Sequence, residues 1–451
     1  TSTWIKANPS LGALLRMEDL VSDWERSKLV PQERSDFINK QLNIFTNSGE
    51  AVFVDYDVIE RNRDMIDISS LEGRDCYGGF DLSNTEDHTA AVLEFELDDG
   101  RIFVLPHTWV PERKVQLDNE KLPYYEYAMQ GLLSGVTTVR VVGGLDDLDT
   151  RLRDRIHAGK LDGPRILAAN YAIGVPHGHM VGSVTHPAET VEDAVRMVDQ
   201  LHGQNVDLIK LMITGGVMDA KVKGEPGRLM MQADMIKACC DRAHSYGLKV
   251  AAHVQSPEGV RTAVLNGVDS IEHGSTLSET ELAAFHKSGA VLVCTLSPAL
   301  PMAKFQRETL GITEAVQYNS NLVYNNMVLG ARAALADGVP VGMGTDTGCP
   351  YTTHYNMWRE LHYFQKEVGV TPEFALYTAT LNNARILGLG DVTGSVEVGK
   401  CADLLIANSD PLADFRALEQ PYMVVARGKV YDHPQIKKYP ACDAELDKYY
   451  D

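Results

Sequence analysis

The chain has 451 residues, 44% of them apolar and 23% charged, so it is too long for one growing core and too apolar for a disordered or collagen-like polymer. Its 42 Lys and Arg stand against 62 Asp and Glu, a net charge of -20 that lacks the positive field nucleic acid requires. The seven scattered cysteines include no CxxC, no apolar run approaches the ~18 residues of a membrane span, and the start has no leader-like pattern. A reduced, cytoplasmic protein without a membrane segment is expected. The opening at Thr1 rather than Met points to a processed or fragmentary beginning.

Residues 1–130 are the more acidic part, with 13 Lys and Arg against 25 Asp and Glu. Met17 to Asn43 has a 3.6-residue apolar period broken at Pro31, which predicts an amphipathic helical stretch. Gly78 to Ser83, Ala90 to Leu97 and Arg101 to Leu105 predict strands, the last two joined by a hairpin at Asp98-Asp99-Gly100.

From residue 131 the pattern changes to short β-branched runs alternating with helical stretches, as in parallel βα units. The expected strands are Val136 to Val142, Arg165 to Ala169, Val206 to Met212, Lys249 to Val254, Ser270 to His273, Ala290 to Cys294 and Val339 to Gly344. Helices are expected at Val191 to His202, Ala233 to Tyr246, Pro257 to Asn266 and Pro372 to Leu387. This is an α/β pattern, a (β/α)8 TIM-type barrel lacking its usual first strand, with its active site at the strand C-termini. Gly394 to Asn408 and Met423 to Tyr431 read as strands outside the barrel, and the chain from His433 as a loose charged terminus. The expected divisions are 1–130, a barrel over 131–392, a small β-sandwich remnant over 393–435, and a tail over 436–451.

Several barrel strands end in side chains that can hold a metal. Lys210 sits in an apolar strand, His253 and His273 close two more, and Asp346 follows another. Neutral imidazoles suit Zn2+ or a similar divalent ion, and a carboxylate beside it can move a proton. A desolvated lysine has a lowered pKa and can be carboxylated to a bridging carbamate. Taken singly, each has a plainer reading: a satisfied core histidine, a snorkelling lysine, a helix-capping aspartate. Four in order, each at a strand end, favour a site.

The runs Gly135-Val136-Thr137-Thr138-Val139-Arg140, Leu208-Ile209-Lys210 with Gly215-Gly216, Ala252-His253, Ile271-Glu272-His273-Gly274, Gly344-Thr345-Asp346 and Gly394 to Leu404 resemble the amidohydrolase superfamily, near its imidazolonepropionase-like and Xaa-Pro or Xaa-Arg dipeptidase branch. By that resemblance His253 and His273 would hold one metal, Lys210 would be the carboxylated bridge, and Asp346 would ligate a second metal and shuttle the proton. The implied reaction is hydrolysis of an amide, peptide or cyclic amidine C–N bond in a small substrate such as a dipeptide or N-acyl amino acid, with one or two ions as cofactor. Homo-oligomers are compatible with the sequence.

The family also carries an HxH on its first barrel strand, and Phe103 to Trp109 offers only His107. The chain's one HxH, His177-Gly178-His179, follows the third expected barrel strand, where it would line the substrate pocket. Without the pair the site could be mononuclear, weakened or dead.

The stretches Trp4 to Gly12, Phe37 to Asn43, Gly78 to Ser83 and Val104 to Glu112 resemble instead the large terminase subunit of tailed phages, at the start of its RNase H-like α+β nuclease domain. By that resemblance Asp81 would bind a catalytic metal. Gly394 to Lys400 fits GxxxxGK, but Cys401 stands where Ser or Thr is needed, so it reads as a β-turn. Two families each truncated near Gln130-Gly131, with no flexible linker between, suggest a chimeric chain. The readings that compete with a metal-dependent amidohydrolase are a phage DNA-packaging nuclease fragment and a catalytically dead barrel.

Overall fold

The computed structural model describes residues 71, 73–81, 89–99, 101–109, 124–217, 222–224 and 227–450. The expected helix over Met17 to Asn43 lies outside them. The chain divides into two compact units, Thr1–Pro111 and Glu112–Asp451.

In the first unit, β1 (Tyr77–Asp81), β2 (Thr89–Glu96) and β3 (Ile102–Trp109) form an antiparallel sheet in that order. The turn forms where the acidic dipeptide and Gly100 predict it. Leu97 N–H bonds Arg101 O at 2.8 Å, Asp99 accepts from the Arg101 backbone N at 3.1 Å and from its Nε at 2.8 Å, and Arg74 grips Asp98 at 3.0 and 3.1 Å.

The second unit opens with α1 (Tyr124–Leu133) and continues as β4 (Thr138–Val141), α2 (Leu148–His157), β5 (Arg165–Ala168), β6 (Ala172–Gly174), β7 (Thr185–Pro187) and α3 (Val191–Gly203). Next come β8 (Leu208–Met212), α4 (Ala233–Ser245), β9 (Lys249–Val254), α5 (Pro257–Leu265), β10 (Ser270–His273), α6 (Glu279–Ser288), β11 (Val291–Cys294), α7 (Leu296–Lys304), α8 (Glu314–Ala336) and β12 (Val341–Met343). Seven strands form one sheet in the order β12-β11-β10-β9-β8-β6-β7, every pairing parallel, and β4 pairs with β5 in parallel. Strand β5 reaches β8 through Asp207, whose N–H bonds Ala168 O and whose Oδ2 accepts from Ala168 N, both at 2.8 Å.

The helices cover the outer face. Val198 and Leu201 of α3, Ile236 and Cys240 of α4 and Val260 and Ala263 of α5 pack on Ile209, Val250 and Ile271 in one buried core. Such burial of strands on both faces is why they read as unbroken β-branched runs rather than alternating ones. Strands β6 and β7 were not expected. Asn170, at φ 58°, interrupts the run after β5, and its fully buried amide is taken up by Thr150 and Gln204, so β6 resumes beyond it.

An open barrel edge would expose unpaired backbone groups, but along β12 the edge is covered. Asn382 Nδ2 donates to Val341 O at 2.8 Å, Asn383 Nδ2 to Met343 O at 2.7 Å, and Met343 N–H donates to Asn383 Oδ1 at 3.0 Å. The helix expected over Pro372 to Leu387 is α only at Pro372–Tyr377 and Asn383–Ile386; between them Thr378–Asn382 is π-helical. Asn382 at the end of this wider turn and Asn383 just after it are the two asparagines that bond the β12 backbone.

Beyond the barrel, β13 (Leu404–Ile406), β14 (Met423–Ala426) and β15 (Lys429–Asp432) form a small antiparallel sheet. The strand expected over Met423 to Tyr431 is a hairpin, turned by Arg427 at φ 49° and Gly428 at φ 83°. The tail is not loose. Helix α9 (Trp358–Tyr363) and the stretch before it hold the terminal helix α10 (Pro440–Asp447): Asp443 accepts from Tyr355 Oη at 3.1 Å and Asn356 Nδ2 at 2.6 Å, and Asp447 from Arg359 Nη2 at 2.7 Å. All seven cysteines are free thiols, and no helix among the described residues is long and apolar enough to cross a membrane.

Candidate functional site

Lys210, His253 and His273 lie on the adjacent parallel strands β8, β9 and β10, with Lys210 opposite Ala251 and Glu272 opposite His253. All three are buried, at 2%, 3% and 7% exposure. Burial lowers the Lys210 amine to about 8, although Glu272 and Asp346 pull it upward. At that value a fraction of the amine is neutral near physiological pH. Burial also keeps the imidazoles neutral. His273 falls to about 4, and His253 well below its ordinary range, pushed further by His179, His273 and Lys210.

The His253 and His273 ring centroids are 4.7 Å apart, edge to face. His273 Nδ1 bonds Thr295 Oγ1 at 2.7 Å, which fixes the ring and directs Nε2 elsewhere, while the buried Nε2 of His253 has no protein partner. His273 adopts φ 70° and Asp346 φ 47°, left-handed conformations costly for such residues and typical of functional positions. Asp346 lies at the exposed mouth, where its Oδ2 accepts from Cys349 Sγ at 3.5 Å.

The HxH divides. His179 stacks on His253 with centroids 4.3 Å apart, and Gly216 makes room for it: a Cβ there would come within 2.3 Å of the imidazole. His177 is exposed at φ 62° and stays outside the cluster. Of Asp81 the structure describes the backbone, in β1, and not the side chain.

A polar network below these groups was not anticipated. Arg140 of β4 donates through Nη2 to both oxygens of Glu272, at 2.7 and 2.8 Å, and through Nη1 to Ser270 Oγ at 3.0 Å, which itself donates to Glu272 at 2.7 Å. Burial raises the Glu272 pKa, but Arg140, Lys210 and Ser270 outweigh it and hold the carboxylate below its usual range. The signal was present in Ser270-Ile271-Glu272-His273, where polar residues alternate within a buried strand.

Two neutral imidazoles, one with an orphaned buried nitrogen, are a donor set suited to one divalent ion. No three His, Cys, Asp or Glu side chains among the described residues form a group that could hold a metal ion. An ion here would need a further ligand beside the two imidazoles.

The amidohydrolase family profile matches residues 106–431. The chain belongs to the amidohydrolase family. This amidohydrolase is 37% identical to a Bifidobacterium longum protein described as a prolidase, over 80% of this chain and 94% of the other, with a TM-score of 0.69. It is 31% identical to a Xaa-Pro dipeptidase solved with methionine in its active site, over 68% of this chain and 78% of that one, with a TM-score of 0.62. Residues 1–141 match the endonuclease domain of the terminase large subunit, so the two families overlap over 106–141 in a chimeric chain. The terminase large subunit of Enterobacteria phage HK97 is 31% identical over 133 residues, 29% of this chain and 26% of its own.

Proposed function

We propose that the chain is a metal-dependent amidohydrolase that cleaves the C–N bond of a dipeptide or N-acyl amino acid. The observation that carries this reading is the buried trio of Lys210, His253 and His273 on the adjacent strands β8, β9 and β10, each biased toward its uncharged form. His253 and His273 would hold the ion through their free imidazole nitrogens, with Thr295 keeping His273 in orientation. Lys210, carboxylated on Nζ, would complete the set and replace a repelling cation with an anion. When bound, Zn2+ or a similar ion supplies Lewis-acid polarisation of the scissile carbonyl. Asp346, exposed at the mouth, would take a proton from the attacking water and return it to the leaving nitrogen. His179 would orient substrate against His253, and His177 would stand further out on the same loop.

The names of the two structural relatives favour a substrate with a peptide-like bond. We place the absent first barrel strand between β12 and β4, with Asn382 and Asn383 occupying part of its hydrogen-bonding role, and we read the first unit as a piece of an RNase H-like nuclease domain.

The test is release of free amino acid from Xaa-Pro dipeptides and N-acyl amino acids, with and without added Zn2+. Metal-dependent release lost in His253→Ala supports the reading. Absence of hydrolysis from a metal-loaded protein supports a dead barrel, and Mn2+-dependent DNA cleavage lost in Asp81→Ala supports the nuclease.

A further inference from the structure

Thr295 stands at the N-cap of α7, where a threonine hydroxyl ordinarily accepts from the first free backbone N–H groups of the helix. Here its backbone is at φ -143° and ψ 81°, and its side chain makes no such bond. Its Oγ1 is 2.7 Å from His273 Nδ1 instead. The Cγ2 methyl faces Gly344, where an added Cβ would sit 3.4 Å from it, so both arms of the side chain are in place.

Something other than Thr295 must satisfy the helix start. Leu296 N–H donates to Glu360 at 2.7 Å, and Ser297 donates to it through its N–H at 2.6 Å and its Oγ at 2.5 Å. The next residue, Pro298, has no N–H to offer. Glu360 lies on α9 and is 0% exposed, so the cap comes from a different helix, 64 residues away in sequence. A carboxylate that takes both free donors leaves the Thr295 hydroxyl nothing to cap, and that release lets the hydroxyl serve His273.

We propose that Glu360 is a positioning residue for His273: by capping α7 in place of Thr295 it keeps the Thr295 hydroxyl on Nδ1 of the imidazole and leaves the opposite nitrogen, Nε2, free for an ion. That Nε2 holds an ion rests on the hydrolase reading, whereas the orientation of the ring does not. Removing one of the two acceptor oxygens of Glu360 leaves a buried N–H of the first turn unpaired, and the acceptor that normally serves it is the N-cap hydroxyl. Once Thr295 turns to the helix, the ring loses its anchor.

The test is nitrogen NMR of the full chain, labelled at histidine and free of metal, with the His273 signals assigned by their loss in His273→Asn. Glu360→Gln and Thr295→Val are each expected to shift the His273 Nδ1 signal, and the double variant to shift it no further than Thr295→Val alone. With Zn2+ added, the single variants and the double should all bind about tenfold more weakly than wild type, without compounding. A His273 signal like that of wild type in Glu360→Gln, whatever its melting temperature, would overturn the proposal and leave Glu360 a purely structural cap. Additive effects in the double variant would overturn it too. Should Glu360→Gln fail to fold, Pro298→Ala decides: it gives the first turn a further free N–H to compete for Thr295, and should move the His273 signal in the direction of Thr295→Val, an unmoved signal again overturning the proposal. A wild type that binds no Zn2+ would remove the hydrolase reading, and the ring measurement would still decide the proposal.

Discussion

Arg140 on β4 closes over both carboxylate oxygens of Glu272 on β10, at 2.7 and 2.8 Å, although 132 residues separate them in sequence. Both side chains are largely withdrawn from water, with 15% and 4% exposure. Breaking one half of such a pair leaves an uncompensated buried charge. Arg140→Met is expected to destabilise the second unit by roughly 3 kcal/mol, as measured by urea unfolding, and adding Glu272→Gln to recover part of the loss. If Arg140→Met were neutral, the pair would not matter to stability.

The cover on the β12 edge makes a second prediction. Asn383 both donates to and accepts from the Met343 backbone, so Asn383→Ala leaves two backbone groups unpaired. The expected cost is about 2 kcal/mol, against under 1 kcal/mol for an exposed surface asparagine. Hydrogen exchange at Met343 N–H should accelerate in the variant, whereas an unchanged rate would mean another group protects that edge.

How far the sequence was legible follows from what each feature depends on. Strands buried on both faces produce short apolar runs, and a window of a few residues contains all of that, which is why the expected bounds of β8, β9 and β10 lie within two residues of the observed ones. The Arg140–Glu272 pair is a long-range match between two short strings, neither informative alone. The tail was misread because Asp443, Asp447 and their neighbours look like a solvated charge run until Tyr355, Asn356, Arg359 and Arg416 are brought against them. Asn382 and Asn383 sit in a helical pattern, and only the π-helical turn that ends at Asn382 brings their amides against the β12 backbone.

Glu360 sets a pH dependence. Burial pushes its carboxyl up to about 7, despite hydrogen bonds from Ser297 and Leu296 that favour the anion. The folded protein thus binds a proton that the unfolded chain, with an ordinary carboxyl, releases near pH 4.5. Stability from this group is complete below that value and is lost as the pH rises through about 7. Asp149, raised by burial to about 7, acts with the same sign. Measured by chemical unfolding between pH 5 and 8, on the order of the window these shifts define, the stability of the wild type relative to Glu360→Gln should fall as the pH rises, while the buried neutral His253 and His273 act with the opposite sign in both proteins. Parallel slopes would exclude Glu360 as the source.

Gly216 offers a local test of the histidine cluster. A Cβ at this position would meet the His179 ring, so Gly216→Ala should turn the imidazole away from His253 while leaving the fold intact. The expected result is a fall of about tenfold in hydrolysis with little change in melting temperature, in the range of one misplaced positioning group. An unaltered rate would remove His179 from the site.

The central claim is that Lys210, His253 and His273 together hold a metal, and elemental analysis of the purified full chain tests it most directly. Wild type is expected to retain Zn2+ or a similar divalent ion at near-stoichiometric level, with the metal lost in Lys210→Ala and in His273→Ala while both variants keep their folded circular dichroism. Metal content that is negligible in wild type, or undiminished in the two variants, would contradict the account.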